Sequence, residues 1–218
     1  MKVTAALVDF LESKLTPRRR ELFSKVIESR TNHFTVATQD VYQLHNTSAV
    51  IRSCDVFGIQ NVHVVEEVNL KKIDREIAMG AQKWVDINRY HSSIDCIEAL
   101  REKGYRIVAT SPHKGKALQD FDIDAPAAVF FGTETEGLST EVMEEADDFI
   151  RIPMVGFTES LNISVSAAII LQDITARLRK SDVDWRFLEE EKLQKRYEWA
   201  IKNLKNSADL IEAFQASQ

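Results

Sequence analysis

Three short stretches place polar side chains where an apolar helix or strand is due. In NTSAVIRSCDVFGI (46–59), Asn46 heads an apolar helical run and Arg52 interrupts it six residues on. A side-chain amide both donates and accepts hydrogen bonds, and a guanidinium can grip an anion bidentately. In VFFGTETEGLS (129–139), Gly132 and Gly137 frame the carboxylate of Glu134 after an apolar run. Glycine lets a backbone approach a ligand closely or take positive φ. In GFTESLNISVSAAII (156–170), Ser160, Asn162 and Ser164 crowd the mouth of a helix of small and β-branched residues. One capping side chain satisfies a helix start, and Ser160 suffices for that. Asn162 is then left without a structural task. Each stretch alone also has a plain explanation: Asn46 as an N-cap, Arg52 in an ion pair, Glu134 as a solvated acid in a turn.

Other chemistries find little support. The five histidines (His33, His45, His63, His91, His113) are scattered without metal-ligand spacing. No G-x-S-x-G elbow is present. The glycines at 132 and 137 match neither G-x-G-x-x-G nor a P-loop, since no Lys-Ser/Thr follows Gly137.

The elements that must carry these residues alternate. Strands are expected at Phe34–Thr38, Val62–Val65, Tyr105–Thr110, Ala127–Phe131 and Phe149–Ile152. Between them, helices are expected at Thr47–Phe57 with Asn46 as cap, at Ile94–Lys103 ending on Gly104, and near Thr140–Glu145. A long helix follows from Leu161. Strands alternating with helices imply βαβ units, hence an α/β fold with a mostly parallel sheet flanked by helices. Ligands of such sheets bind beyond the carboxyl ends of the strands, where all three stretches fall.

Both ends of the chain differ from this pattern. Residues 3–14 have Val3, Leu7, Val8 and Leu11 at helical spacing, and Thr16-Pro17 starts a second helix. Residues 1–30 therefore form a helical arm. Residues 31–180 form the central domain. Residues 181–218 form a C-terminal extension, whose segment 185–205 is an amphipathic helix that could fold back on its own chain or pack on a partner.

Charge narrows the partners. The net charge is −6, not a polyanion-binding balance overall. Yet Lys14–Arg30 holds six basic residues against two acidic ones. Such a segment marks a nucleic-acid contact only if its charges share a face. Two cysteines are too few for a disulfide framework. The N-terminal segment lacks a signal-peptide core, and the apolar run 161–178 is broken by Asp173 and Arg177. These features imply a cytoplasmic protein with no membrane partner.

Taken together, the three stretches resemble the motifs of the SpoU/TrmH family of RNA 2′-O-ribose methyltransferases. The correspondence is N-x-x-A-x-x-R at Asn46, Ala49 and Arg52; G-x-E-x-x-G-L at Gly132, Glu134, Gly137 and Leu138; and S-L-N-x-S-V at Ser160 to Val165. The arm and the charged tail are also similar to those of the family members that methylate guanosine 18 in the tRNA D-loop. The resemblance implies a SPOUT fold with a deep C-terminal trefoil knot, S-adenosylmethionine as cofactor and S-adenosylhomocysteine as product, no metal, and a homodimer with active sites at its interface. It implies Arg52 and Asn46 as catalytic residues. It implies Thr110, Gly132, Glu134, Gly137, Ile152, Met154, Ser160, Leu161 and Asn162 around the cofactor. Arg19, Arg30 and Arg52 would meet tRNA. Ribosomal RNA, another tRNA position, or a non-catalytic knotted RNA-binding protein are the alternatives.

Overall fold

Seven parallel strands make a single sheet in the computed structural model of the chain, which describes residues 3–41, 44–67, 78 and 80–217. They are β1 Phe34–Gln39, β2 Asn61–Val65, β3 Asp86–Tyr90, β4 Arg106–Thr110, β5 Lys116–Ala117, β6 Ala127–Phe131 and β7 Asp148–Arg151. Their order across the sheet is β3-β2-β1-β6-β4-β7-β5. The central strands β1 and β6 are buried along their whole length, as parallel strands covered on both faces must be.

Helices cover both faces because side chains alternate along each strand. Phe34, Val36 and Val129 pack with α3 (Leu44–Phe57) and α6 (Ile163–Leu178). Ala37, Ile107 and Phe130 pack with α4 (Ser93–Glu102) and α5 (Thr140–Glu145). Local chemistry sets the helix starts. The hydroxyls of Ser92 and Ser139 accept the backbone N–H groups of Asp95 and Val142, which caps α4 and α5.

The remaining helices form a second compact unit. The chain divides into 31–185, which holds the sheet, and 1–30 with 186–218. The second unit contains α1 (Ala5–Ser13), α2 (Pro17–Ile27), α7 (Glu189–Asn203) and α8 (Ser207–Ala216). Phe23 and Trp199 meet edge to face at 5.5 Å. Arg196 clamps the buried Glu12 with both a 2.8 Å and a 2.7 Å hydrogen bond, in the fork geometry that suits a carboxylate. Arm and tail, expected as separate extensions, are thus one body. Residues 181–185, expected in the tail, belong with the sheet, where the Trp185 carbonyl accepts a hydrogen bond from Thr31 Oγ1 at 2.7 Å.

Several expected elements differ. α3 starts at Leu44, so Asn46 lies inside its first turn and is not its cap. α6 is capped by Asn162, whose Oδ1 accepts the Ser164 N–H at 2.8 Å; Ser160 lies outside the helix. The tail holds two helices where one was expected. β3 and β5 were not expected: β3 (DINRY) is a polar, half-exposed outer strand, and β5 has two residues.

Candidate active site

β1 and β6 are neighbours, but the chain leaves β1 toward β2 and leaves β6 toward β7, on opposite sides. At such a switch point the loops part and open a crevice at the carboxyl ends of the strands. A cavity of ≈ 410 Å³ opens on the β6 side of this point, a size that suits a small-molecule ligand. Its walls include Thr110–His113 at and after the end of β4, residues 131–138 at and after the end of β6, Ile150, Ile152 and Met154 along and after β7, and Glu159–Leu161 before α6.

The turn is built around its two glycines. Thr133 and Gly137 exchange backbone hydrogen bonds of 2.8 and 3.1 Å. A Cβ on Gly132 would lie 2.1 Å from the Gly137 carbonyl carbon, so no larger residue closes this turn. Gly137 takes a φ of +74°, which L side chains rarely adopt.

Side chains from all three polar stretches meet at this turn. Glu134 Oε1 accepts a hydrogen bond from Asn46 Nδ2 at 2.9 Å and another from Asn162 Nδ2. Asn162 Nδ2 also reaches Asn46 Oδ1 at 3.3 Å. One carboxylate therefore ties α3, the turn and the start of α6 together. Asn162, unexplained by capping alone, caps α6 with its oxygen and binds Glu134 with its nitrogen.

Eight of the nine residues expected at the cofactor line the cavity: Thr110, Gly132, Glu134, Gly137, Ile152, Met154, Ser160 and Leu161. Asn162 stands behind Glu134. Asn46 is buried with its amide donor on Glu134 and its acceptor toward Asn162, an arrangement for positioning rather than for touching a substrate. Arg52 is exposed, and it is not among the described residues that line the cavity. Six residues at 3.6 per turn place it about 120° around α3 from Asn46. Arg19 is half-buried at the start of α2. Arg30 is 1% exposed, with its guanidinium over the Trp199 ring at 5.7 Å. Ser111 and His113, which the motifs did not indicate, also line the cavity. Their place just after β4 was the available signal.

The electrostatics favour one class of ligand. Glu134, Glu136 and Glu159 line the cavity, and no Lys or Arg does so among the described residues. An anionic ligand would find no cationic partner there. A cation with an apolar body fits the carboxylates and the Leu138, Ile152 and Met154 side chains. Among the described residues, no group of three or more His, Cys, Asp or Glu side chains is placed to hold a metal, and no helix is long and apolar enough to cross a membrane.

Comparison with known proteins agrees with this geometry. Residues 33–172 match the SpoU rRNA Methylase family. A tRNA (guanosine(18)-2′-O)-methyltransferase of Borreliella burgdorferi is 37% identical over 210 residues, 94% of this chain and 96% of that one. The crystal structure of the A. aeolicus TrmH/SpoU tRNA modifying enzyme superposes with a TM-score of 0.77 at 31% identity, covering 86% of this chain and 97% of the other. AviRb from Streptomyces viridochromogenes, in complex with the cofactor AdoMet, superposes with a TM-score of 0.61 at 28% identity, over 72% of this chain and 62% of its own.

Proposed function

Because the chain belongs to the SpoU rRNA methylase family, we propose that it transfers a methyl group from S-adenosylmethionine to the ribose 2′-oxygen of guanosine 18 in tRNA. The observation that carries this proposal is the single carboxylate, Glu134, joining Asn46 and Asn162 at the wall of a cavity lined by acids and free of Lys and Arg among the described residues. The tRNA target follows the relatives of similar length and name. The trefoil knot belongs to the same proposal. It is supported by the way residues after β4, β6 and β7 surround one cavity.

When bound, S-adenosylmethionine supplies a methyl group already activated by its sulfonium charge. The chain's own residues then have three tasks. The acidic lining accommodates a cation. The Asn46–Glu134–Asn162 connection holds the turn. Arg52 binds a phosphate of the substrate and stabilises charge developing on the ribose oxygen. A guanidinium, with its pKa above about 12, suits that electrostatic task better than proton abstraction.

Arg52 would reach a cavity across a homodimer. Two features of α3 and α6 support that assembly. Arg52 shares a face of α3 with the exposed Val56, one turn on, and α6, packed on α3, exposes Val165 and Ile169. Apolar residues left outside on packed helices suit a second copy of the chain. The proposed setting is the cytoplasm, where tRNA is modified.

Nucleoside mass spectrometry tests the proposal. Unmodified tRNA incubated with the chain and S-adenosylmethionine should gain 2′-O-methylguanosine at position 18. Methylation of another nucleoside would move the target; no methylation of tRNA by cofactor-bound protein would end the proposal.

A further inference from the structure

Two successive residues of β1 hold the two ends of the 132–138 turn. The leading end is held by the sheet, where Phe131, the last residue of β6, is in register with Thr38. The trailing end is held by a side chain. Gln39, which follows Thr38 and is 4% exposed, accepts the Ser139 backbone N–H on Oε1 at 2.9 Å. Its Nε2 donates to Ser139 Oγ at 2.8 Å and to Ser93 Oγ at 2.7 Å.

These bonds continue past Gln39 in both directions. Ser139 caps α5 through the Val142 N–H at 3.3 Å. The Ser93 N–H donates to Glu67 Oε1 at 2.5 Å, and the Glu67 N–H donates to Asp40 Oδ1 at 2.9 Å. Gln39 points to the α4/α5 side of the sheet, like Ala37 two residues before it. Asn46 and Asn162 hold Glu134 from α3 and the start of α6, on the other side. The turn is therefore clamped from both faces.

A buried amide is costly unless its polar atoms are paired, and an aliphatic side chain would fill the same space without that risk. Gln39 pairs its oxygen and both amide hydrogens, and two of the three bonds end on the residue that closes the turn. We infer that Gln39 is a positioning residue of the cofactor site, fixing the trailing end of the 132–138 turn and so the cavity wall that presents Glu134. The inference rests on the cavity being the S-adenosylmethionine site.

Calorimetric titration of the full chain with S-adenosylmethionine, paired with melting curves, tests it. Wild-type protein that gives no heat would overturn the cofactor assignment itself. Given wild-type binding, Gln39→Met, which keeps length and loses all three bonds, should weaken the cofactor Kd about tenfold, the scale of a buried N–H left unpaired. Gln39→Glu should restore Kd to within about threefold. Its carboxylate still accepts the Ser139 N–H, and both serine hydroxyls can turn to donate to it. His63→Leu, a core substitution elsewhere, should lower the melting temperature and leave Kd unchanged. An unchanged Kd in Gln39→Met, or equal weakening by Met and Glu, would overturn the inference. Should Gln39→Met fail to fold, Ser139→Ala and Ser93→Ala decide: only the first should weaken cofactor binding, and equal effects would count against Gln39.

Discussion

The two units of the chain carry opposite charge. The sheet unit, 31–185, has 15 Lys and Arg against 24 Asp and Glu; the helical unit, 1–30 with 186–218, has 13 against 10. The net charge of −6 conceals this division. The proposed function would account for it. A cationic methyl donor calls for acids in its cavity, while an RNA backbone calls for cations. Acids and cations packed into one site would neutralise each other. Under the proposed function, each ligand would meet the sign that suits it on a different unit. Arg52, exposed on α3, is the cation of the acidic unit to which the proposed function gives a task at the substrate, and so an informative exception.

The strongest way to break this comparison is to remove that exception. Arg52→Ala should slow methyl transfer about 10²- to 10³-fold, the usual cost of deleting one preorganised donor at developing negative charge. Calorimetric binding of S-adenosylmethionine should stay as in wild type, since Arg52 does not line the described cavity. Near-normal methylation would mean that the acidic unit performs the chemistry without Arg52.

The next largest effect tests whether the helical unit stands as a body of its own. Arg196→Met leaves the Glu12 carboxylate buried without its fork of hydrogen bonds. Breaking such a pair costs about 3 kcal/mol. We expect early melting of helices in circular dichroism, weaker tRNA binding, and an unchanged heat of cofactor binding. Adding Glu12→Leu should recover most of the loss, because an apolar pair of similar volume replaces the buried charge. Loss of cofactor binding in the single variant would show that the two units do not act separately.

How much of this was legible in the sequence depends on the residue. The central strands were, because β1 (FTVATQ) is rich in β-branched and aromatic residues and β6 (AAVFF) is wholly apolar. β3 was not, since a half-exposed outer strand with three polar residues in five shows no clean period. The three motifs found the cavity because their glycines and amides are local requirements of a turn and a helix start. Gln39 escaped notice, because its partners Ser93 and Ser139 lie 54 and 100 residues away and no local pattern announces them. Arg30 is a related case. Its type suggests phosphate, while its burial beside Trp199, far along the chain, has no local signal.

Acid should separate the units further. All five histidines lie in the sheet unit. Burial beneath the sheet's cover, assisted by the Lys103 charge, pushes His63 down to about 4. His33 is lowered as well, mainly by burial. The unfolded chain, with histidine near 6.5, then binds more protons than the folded one between pH 6.5 and 4. Stability from a neutral His63 is complete above that window and is lost as pH falls through it, by up to about 3 kcal/mol. In urea titrations, the stability gap between wild type and His63→Leu should narrow by that amount from pH 7 to pH 4. A constant gap would remove His63 from the acid response.

The smallest expected effect sharpens the division of charge. Arg18, Arg20 and Lys25 are exposed on α2. Replacing all three with Gln should weaken tRNA binding about tenfold in dilute salt, and the slope of log K against log salt should fall by about one for each phosphate contact removed. Cofactor binding should not change. Arg30→Gln should behave differently. Its guanidinium is buried over Trp199, so its loss should lower the melting temperature and leave the salt slope alone. If Arg30→Gln instead reduced the slope while the α2 triple variant did not, the phosphate-binding surface would lie elsewhere, and formal charge would be a poor guide to which unit meets RNA. If the slope follows the exposed cations alone, accessibility is what turns a basic helix into a docking surface.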